Sequence, residues 1–188
     1  VAHFGRGDLV IGPYADRAAP LQAIADFFAT AQVPVRVSAD VMAELWNKLM
    51  VNCAFNAISG IAQANYGQLA ALPPVRELME GVVREVVALA QAERVNLPLD
   101  AALQSVERIA QAMPAQLSST AQDMARRKPS EIDHLNGFVA RRGRELWGEA
   151  KSWLGAAVGV HDWGGLTLAF TMAEVELLYA SMAERRAV

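Results

Sequence analysis

Cysteine is almost absent from this chain, since Cys53 is the only one among 188 residues. A single cysteine excludes an internal disulfide. The three histidines, at 3, 134 and 161, are far apart in the sequence and form no Cys/His spacing typical of a metal site. We therefore expect no metal site and a reducing, cytoplasmic setting.

Long apolar runs and basic stretches are also lacking. No apolar run reaches the ~18 residues of a membrane-spanning helix, and no signal-peptide pattern is visible. The net charge is −3 and the isoelectric point about 5.6, so nothing favours nucleic acid or an anionic membrane surface as a partner.

An initiator methionine is missing too. The chain opens with VAHFGRGDLVIG, as if within a domain, and we expect a fragment, a processed chain or an incomplete sequence.

The residues that are present suit a folded chain with a real core, because 53% are hydrophobic and 20% charged. Residues 1–12 alternate around Gly5 and Gly7, which predicts a β-hairpin with its second strand at 9–11. A helix over about 20–32 and a short strand over 33–38 follow. This strand–helix–strand order is typical of the end of an α/β domain, so residues 1–38 are interpreted as such a remnant.

The rest of the chain, residues 39–188, is predicted to be a helical domain. Apolar periodicity and capping residues predict helices from Ser38 or Asp40 to about Ser59, from Pro73 to about Val95, over about 99–113, over about 118–127, from Glu131 to about Leu146, and over about 166–185. Ser130 and Asp133 supply a capping-box pattern for the helix that begins at Glu131. Residues 147–165 are predicted to be a loop or irregular turn. The fold class is therefore mainly α.

The stretch KLMVNCAFNA, residues 48–57, combines a very apolar run with three polar residues on one helix face. Lys48, Asn52 and Asn56 recur every four residues and form a polar stripe ~12 Å long. A buried amide without partners costs roughly 1–3 kcal/mol, so the asparagines need partners. They either satisfy backbone groups where helices cross or belong to a binding site, and Lys48 by itself is more often a surface lysine.

A second polar stretch, LSSTAQDMARRKPSEIDHLNG, covers residues 117–137. Glu131 is predicted to share a helix face with Leu135 and Phe138, which would direct its carboxylate toward packed surface. Alternatively, Glu131 only complements the helix macrodipole, and Ser118 or Ser119 is only a helix N-cap. An inward lysine and an inward glutamate, each on a helix, suit a small polar substrate.

Together the two stretches resemble the C-terminal domain of the ketopantoate reductase (2-dehydropantoate 2-reductase) family. That family reads W-x-K-L-x-x-N-x-x-x-N, then S-S-M-x-Q-D, then T-E-I-D-x-x-N-G. The matching residues are Trp46, Lys48, Leu49, Asn52, Asn56, Ser118, Ser119, Gln122, Asp123, Glu131, Ile132, Asp133, Asn136 and Gly137. The stretch GRGDLVIG resembles the strand pair that closes the family's nucleotide-binding domain, so the resemblance covers about residues 1–146.

The resemblance implies a helical domain of the 6-phosphogluconate dehydrogenase-like type. It also implies an NADPH-dependent reduction of ketopantoate to pantoate in pantothenate biosynthesis. Lys48 would be the general acid that protonates the carbonyl oxygen, and Glu131 would accept a hydrogen bond from the substrate hydroxyl and help to position Lys48. Asn52 and Asn56 would bind polar groups of the substrate, and Ser119 its carboxylate. We expect Lys48, Asn52, Ser119 and Glu131 to line one cleft, with Asn56 deeper.

The sequence departs from the family pattern in three places. No G-x-G-x-x-G loop follows a strand and opens a helix, so the cofactor-binding residues are unknown, and we expect the isolated chain to be inactive and to bind NADPH weakly or not at all. Thr120 and Ser130 replace the usual Met and Thr, and Tyr66 and Gln116 stand where some members have asparagines. The stretch WGEAKSWLGAAVGVHDWGG replaces a G-V-x-T-P-x-N turn.

Two other functions are compatible with these residues. The chain could be part of a related NAD(P)-dependent reductase of another 2-oxo acid, or a helical dimerisation module without chemistry. The expected partners are a small 2-oxo acid and a second copy of the chain in a homodimer.

Overall fold

A computed structural model of the chain describes residues 9–14 and 20–147. The chain divides into two compact units, residues 1–46 and 47–188. The first unit contains strand β1 (Leu9–Ile11), helix α1 (Leu21–Thr30) and strand β2 (Val35–Val37). Helix α2 (Val41–Ala62) contains the boundary between the units. The predicted domain boundary between residues 38 and 39 stays a prediction.

The two strands pair in parallel, with Leu9 beside Val35 and Ile11 beside Val37. Parallel neighbours need a crossover connection, usually a helix, and α1 lies between them in the sequence. The strands predicted at 9–11 and 33–38 and the helix predicted over 20–32 are therefore confirmed. The first strand of the predicted hairpin falls on residues 1–8, outside the described residues.

Helix α1 leaves most of its predicted apolar face uncovered within the first unit. Phe27 is 72% exposed and Ile24 is 37% exposed, whereas Ala25 is buried.

Helix α2 begins where the sequence places its cap. The backbone N–H of Ala43 donates to Asp40 Oδ1 at 2.9 Å, which satisfies one of the free N–H groups of the first turn. Glu44, in that turn, forms an ion pair with Arg36 at 2.7 Å. The helix continues to Ala62, three residues beyond the predicted end, and Gln63 then adopts a left-handed conformation with φ of 49°.

Four helices follow: α3 (Tyr66–Ala70), α4 (Pro73–Ala92), α5 (Leu99–Ala112) and α6 (Ser119–Ala125). Helices α4, α5 and α6 confirm the predictions within a few residues. Helix α3 was not predicted, because its five residues are too few to show a helical period. Its signal is a capping box instead, since Gln68 N donates to Asn65 Oδ1 at 2.9 Å and Asn65 N to Gln68 Oε1 at 3.0 Å.

The helix predicted to begin at Glu131 is wrong at its start. Residues 132–134 form one 3-10 turn, and helix α7 (Asn136–Trp147) begins only afterwards. Leu135, with φ of −101° and ψ of −96°, interrupts the helical conformation. Asp133 forms an ion pair with Arg141 at 2.6 Å, and the hydroxyl of Ser130 accepts the N–H of Ile132 at 3.4 Å. The capping box predicted for Ser130 and Asp133 stays a prediction.

The core of the second unit consists of apolar side chains from α2, α4 and the 3-10 turn. Those with no exposed surface include Met50, Phe55, Val83, Val86, Leu89 and Ile132. Within residues 9–14 and 20–147, no helix is long and apolar enough to cross a membrane. The loop predicted at 147–165 and the helix predicted at 166–185 lie outside the described residues, except for Trp147 at the end of α7.

Candidate active site

The polar stripe of α2 runs from solvent into the core. Lys48 is exposed, Asn52 is half-buried and Asn56 is only 1% exposed. Within the described part of the chain, neither Lys48 nor Asn52 forms a side-chain hydrogen bond or ion pair. The outer end of the stripe is therefore free to bind a ligand, whereas its inner end is packed.

Asn56 joins the two polar stretches of the sequence in space. Its Nδ2 donates to the hydroxyl of Ser119 at 3.3 Å, across 63 residues of sequence. Ser119 is the first residue of α6 and is exposed. The contact gives Asn56 a partner inside the protein, as a buried amide requires, and it fixes the position of an exposed hydroxyl.

The neighbouring Ser118 has a structural role. It is fully buried, and its hydroxyl accepts the N–H of Ala121 at 3.0 Å as the N-cap of α6. Its own N–H donates to Ser59 Oγ at 3.3 Å. From the sequence, either Ser118 or Ser119 could be the N-cap, and the structure shows that it is Ser118. The Ser119 side chain therefore faces Asn56 and the surface.

A close approach of α6 to the C-terminal end of α2 holds Ser119 in place. A Cβ at Gly60 would lie 2.9 Å from Thr120 Cγ2 and 3.1 Å from Met124 Sδ. Gln63 adds bonds to Gly60 O at 2.7 Å and Ala121 O at 3.3 Å. Sequence analysis missed Gly60, whose only signal is a glycine near the end of an apolar helix.

Glu131 is exposed, which corrects the prediction that its carboxylate points toward packed surface. Two nearby residues, Ile132 and Asn136, are buried and attach this segment to the rest of the unit. Ile132 has no exposed surface, and Asn136 Nδ2 donates to the backbone oxygen of Cys53 on α2 at 3.1 Å. Since no side-chain contact to Glu131 occurs among the described residues, its carboxylate is available to a ligand.

The structure thus supports part of the predicted cleft. Asn56 and Ser119 are in contact, Lys48 and Asn52 continue the same helix face, and the segment with Glu131 is attached to α2 next to Asn52, at Cys53. That the four predicted residues line one cleft, with each side chain within ~8 Å of another, stays a prediction.

One further polar residue of this region was missed. Glu85 of α4 is partly buried, and burial raises the pKa of its carboxyl group to about 7. Its charge also affects Cys53, since burial and the Glu85 carboxylate together raise the pKa of that thiol to about 12. The sequence signal was available, since Glu85 interrupts the run Val82–Val87 on the helix face that faces the core.

A groove of about 510 Å³ lies elsewhere, between α4 and α5. Met79, Val83 and Leu103 contribute to its lining, which contains none of the predicted site residues. Within the described residues, no group of three His, Cys, Asp or Glu side chains could hold a metal ion. We place the candidate site on α2 rather than in the groove, because the two polar stretches of the sequence meet at α2.

A known protein family matches more than half of the chain. The family described as the C-terminal domain of ketopantoate reductase PanE/ApbA matches residues 40–152. The 2-dehydropantoate 2-reductase of Vibrio cholerae serotype O1 is 37% identical over 145 residues, which are 77% of this chain and 49% of that protein. The chain spans about half the length of the curated relatives it matches.

Two solved structures are similar to the chain. A PanE/ApbA family ketopantoate reductase from Ralstonia eutropha JMP134 matches with a TM-score of 0.71 and 43% identity, over 95% of this chain and 53% of that one. D-mandelate dehydrogenase, solved with NADH and anilino(oxo)acetate, matches with a TM-score of 0.75 and 19% identity, over 100% of this chain and 71% of that one. The second likeness shows the fold alone.

Proposed function

Because the chain belongs to the ketopantoate reductase family through its C-terminal domain, we propose that it supplies the substrate-binding and catalytic half of an enzyme that reduces ketopantoate to pantoate. One observation carries the proposal. The two polar stretches meet at the hydrogen bond between Asn56 and Ser119, which are 63 residues apart. The same face of α2 carries Lys48, an exposed lysine that has no ion pair among the described residues.

In the proposed reaction, Lys48 is the general acid. Its ammonium group approaches the carbonyl oxygen of the 2-oxo acid, stabilises the negative charge that develops there and donates a proton to it. Because Lys48 is exposed and has no ion-pair partner in the described part of the chain, its charge is not neutralised before substrate arrives.

The other residues orient the substrate. Ser119 donates its hydroxyl proton to the substrate carboxylate while its oxygen accepts from Asn56. Asn52 binds a polar group between Lys48 and Asn56, and the Glu131 carboxylate accepts a hydrogen bond from the substrate hydroxyl. Asn56 is too deeply buried to be a main contact of the substrate, so its role is to position Ser119.

A nicotinamide cofactor, which we take to be NADPH, supplies the hydride. Within residues 9–14 and 20–147, no glycine-rich turn connects a strand to a helix, so we find no phosphate-binding loop for the dinucleotide among them. D-mandelate dehydrogenase, which shares the fold, binds NADH. The use of NADPH rather than NADH is part of this proposal. So are a homodimer and a cytoplasmic location.

The test joins this chain to the nucleotide-binding half of the Ralstonia eutropha relative. We expect the chimera to oxidise NADPH when ketopantoate is added, and Lys48→Ala to lower kcat by about 10²–10⁴-fold, the usual contribution of a general acid. NADPH affinity should change little. Lys128→Ala, which removes another exposed lysine, is the matched control.

Three outcomes of this assay contradict the proposal. A folded chimera that binds NADPH but reduces no 2-oxo acid would favour the dimerisation module. Faster reduction of a different 2-oxo acid would move the substrate assignment to a related reductase. A kcat of Lys48→Ala within a few-fold of the parent would remove Lys48 from the mechanism.

A further inference from the structure

Asn136, the first residue of α7, is attached to α2 through its side chain. It is 5% exposed, and its Nδ2 donates to the backbone oxygen of Cys53 at 3.1 Å, across 83 residues of sequence. Cys53 lies inside α2, so its oxygen also accepts a hydrogen bond within the helix. Asn136 Oδ1 has no partner among the described residues. A single side-chain hydrogen bond thus links the start of α7 to the middle of α2.

This link joins the two backbone segments that carry the proposed catalytic residues. On α2, Cys53 follows Asn52 and comes five residues after Lys48, roughly 7.5 Å along the helix axis. On the other side of the link, Glu131 comes five residues before Asn136. Among the described residues, Lys48, Asn52 and Glu131 form no side-chain hydrogen bond or ion pair. Their positions relative to one another therefore depend on how the two backbone segments are held together.

The turn between Glu131 and Asn136 is braced by hydrogen bonds of its own. The N–H of His134 donates to the backbone oxygen of Glu131 at 2.9 Å. From α7, the guanidinium group of Arg141 donates to Asp133 twice, to Oδ1 at 2.6 Å and to the backbone oxygen at 2.9 Å. Because these bonds restrict movement within the turn, a displacement of Asn136 relative to α2 also displaces Glu131.

We propose that Asn136 is a positioning residue of the candidate site, and that its hydrogen bond to Cys53 sets the separation between Glu131 and Lys48. In the proposed reaction both of these side chains contact the substrate, and a displacement of 1 Å can cost about a hundredfold in rate. The positioning role rests on the proposed function, whereas the attachment of the turn to α2 does not.

The attachment is tested on the 188-residue chain by hydrogen exchange. Asn136→Leu keeps a side chain branched at Cγ but removes the donor. The unfolding midpoint should stay close to that of the parent, because the oxygen of Cys53 keeps its bond within α2. The backbone N–H groups of His134 and Leu135 should exchange about two- to tenfold faster, the equivalent of one hydrogen bond. The N–H of Gln122, which is bonded in the first turn of α6, should not change.

The positioning role is tested in the chimera described above. Asn136→Leu should lower kcat by about tenfold or more, while KM for NADPH stays unchanged. Asn136→Ala, which removes the donor without adding bulk, should give the same pattern. In a Glu131→Ala background, Asn136→Leu should cost less than about a further twofold, because an absent carboxylate cannot be displaced. Asn96→Leu, the same substitution at an exposed asparagine between α4 and α5, is the control.

The possible failures of this inference can be told apart. Unchanged exchange at His134 and Leu135 would overturn the attachment, and the positioning role with it. A kcat of Asn136→Leu and Asn136→Ala equal to that of the parent would overturn the positioning role by itself, as would losses that add in the double variant with Glu131→Ala. A chimera inactive in every form, the parent included, would refute the proposed function and the positioning role, and the exchange measurement would still decide the attachment.

Discussion

Replacing Gly60 by alanine tests the contact that holds α6, and with it Ser119, against α2. The new Cβ would lie 2.9 Å from Thr120 Cγ2, about 1 Å inside an ordinary contact between carbon atoms. Thr120 is only 3% exposed and β-branched, so its methyl group has little freedom to move away. We expect this overpacking to cost about 1–3 kcal/mol.

A gain opposes this cost, because alanine is favoured over glycine inside a helix by about 1 kcal/mol. The net effect of Gly60→Ala should therefore be a loss of up to about 2 kcal/mol of unfolding free energy. Thr120→Ser removes the methyl group that the Cβ would meet, and by itself it should cost about 1 kcal/mol for a lost buried methyl. In the double variant only the 3.1 Å approach to Met124 Sδ remains, and this flexible side chain can move slightly, so Gly60→Ala should then be close to neutral or stabilising.

Urea unfolding followed by circular dichroism measures all four proteins of this cycle. We expect a coupling free energy of at least about 1 kcal/mol, in the sense that Thr120→Ser relieves Gly60→Ala. Ala57→Gly, at the previous turn of α2, gives the propensity term together with the loss of one buried methyl group. A Gly60→Ala variant more stable than the parent, or a coupling near zero, would show that the two helices do not approach as closely as described.

Two further predictions concern titration and reactivity. The pKa of Glu85 is raised from 4.5 to about 7 in the folded chain, so its contribution to stability is complete below pH 4.5 and is lost as the pH rises through 7. Glu85→Gln should flatten this part of a plot of unfolding midpoint against pH. An unchanged plot would contradict the burial of the carboxyl group. Cys53 is 1% exposed, and the pKa of its thiol is raised to about 12. A thiol reagent at pH 8 should therefore modify Cys53 only as fast as the chain unfolds. Rapid modification of the native chain would contradict the packing of Cys53.

Local signals in the sequence were sufficient for most of the elements. Asp40 caps α2 and Ser118 caps α6 through contacts with residues three positions away, and such short-range preferences do not depend on the rest of the fold. The apolar periods of α4 and α5 likewise place both helices within a few residues. The start of α7 was not predictable in this way, because the break at Leu135 accompanies the burial of Ile132 and Asn136 against other helices.

In the candidate site, too, some features follow from the sequence and others only from the tertiary structure. The four-residue spacing places Lys48, Asn52 and Asn56 on one face of α2 whatever surrounds it. Only the tertiary structure decided that Asn56 is buried and bonded to Ser119, that Glu131 is exposed and that Glu85 is partly buried. These facts depend on how α2, α4, α6 and α7 pack, and packing joins residues tens of positions apart, for which the spacing within one helix holds no information.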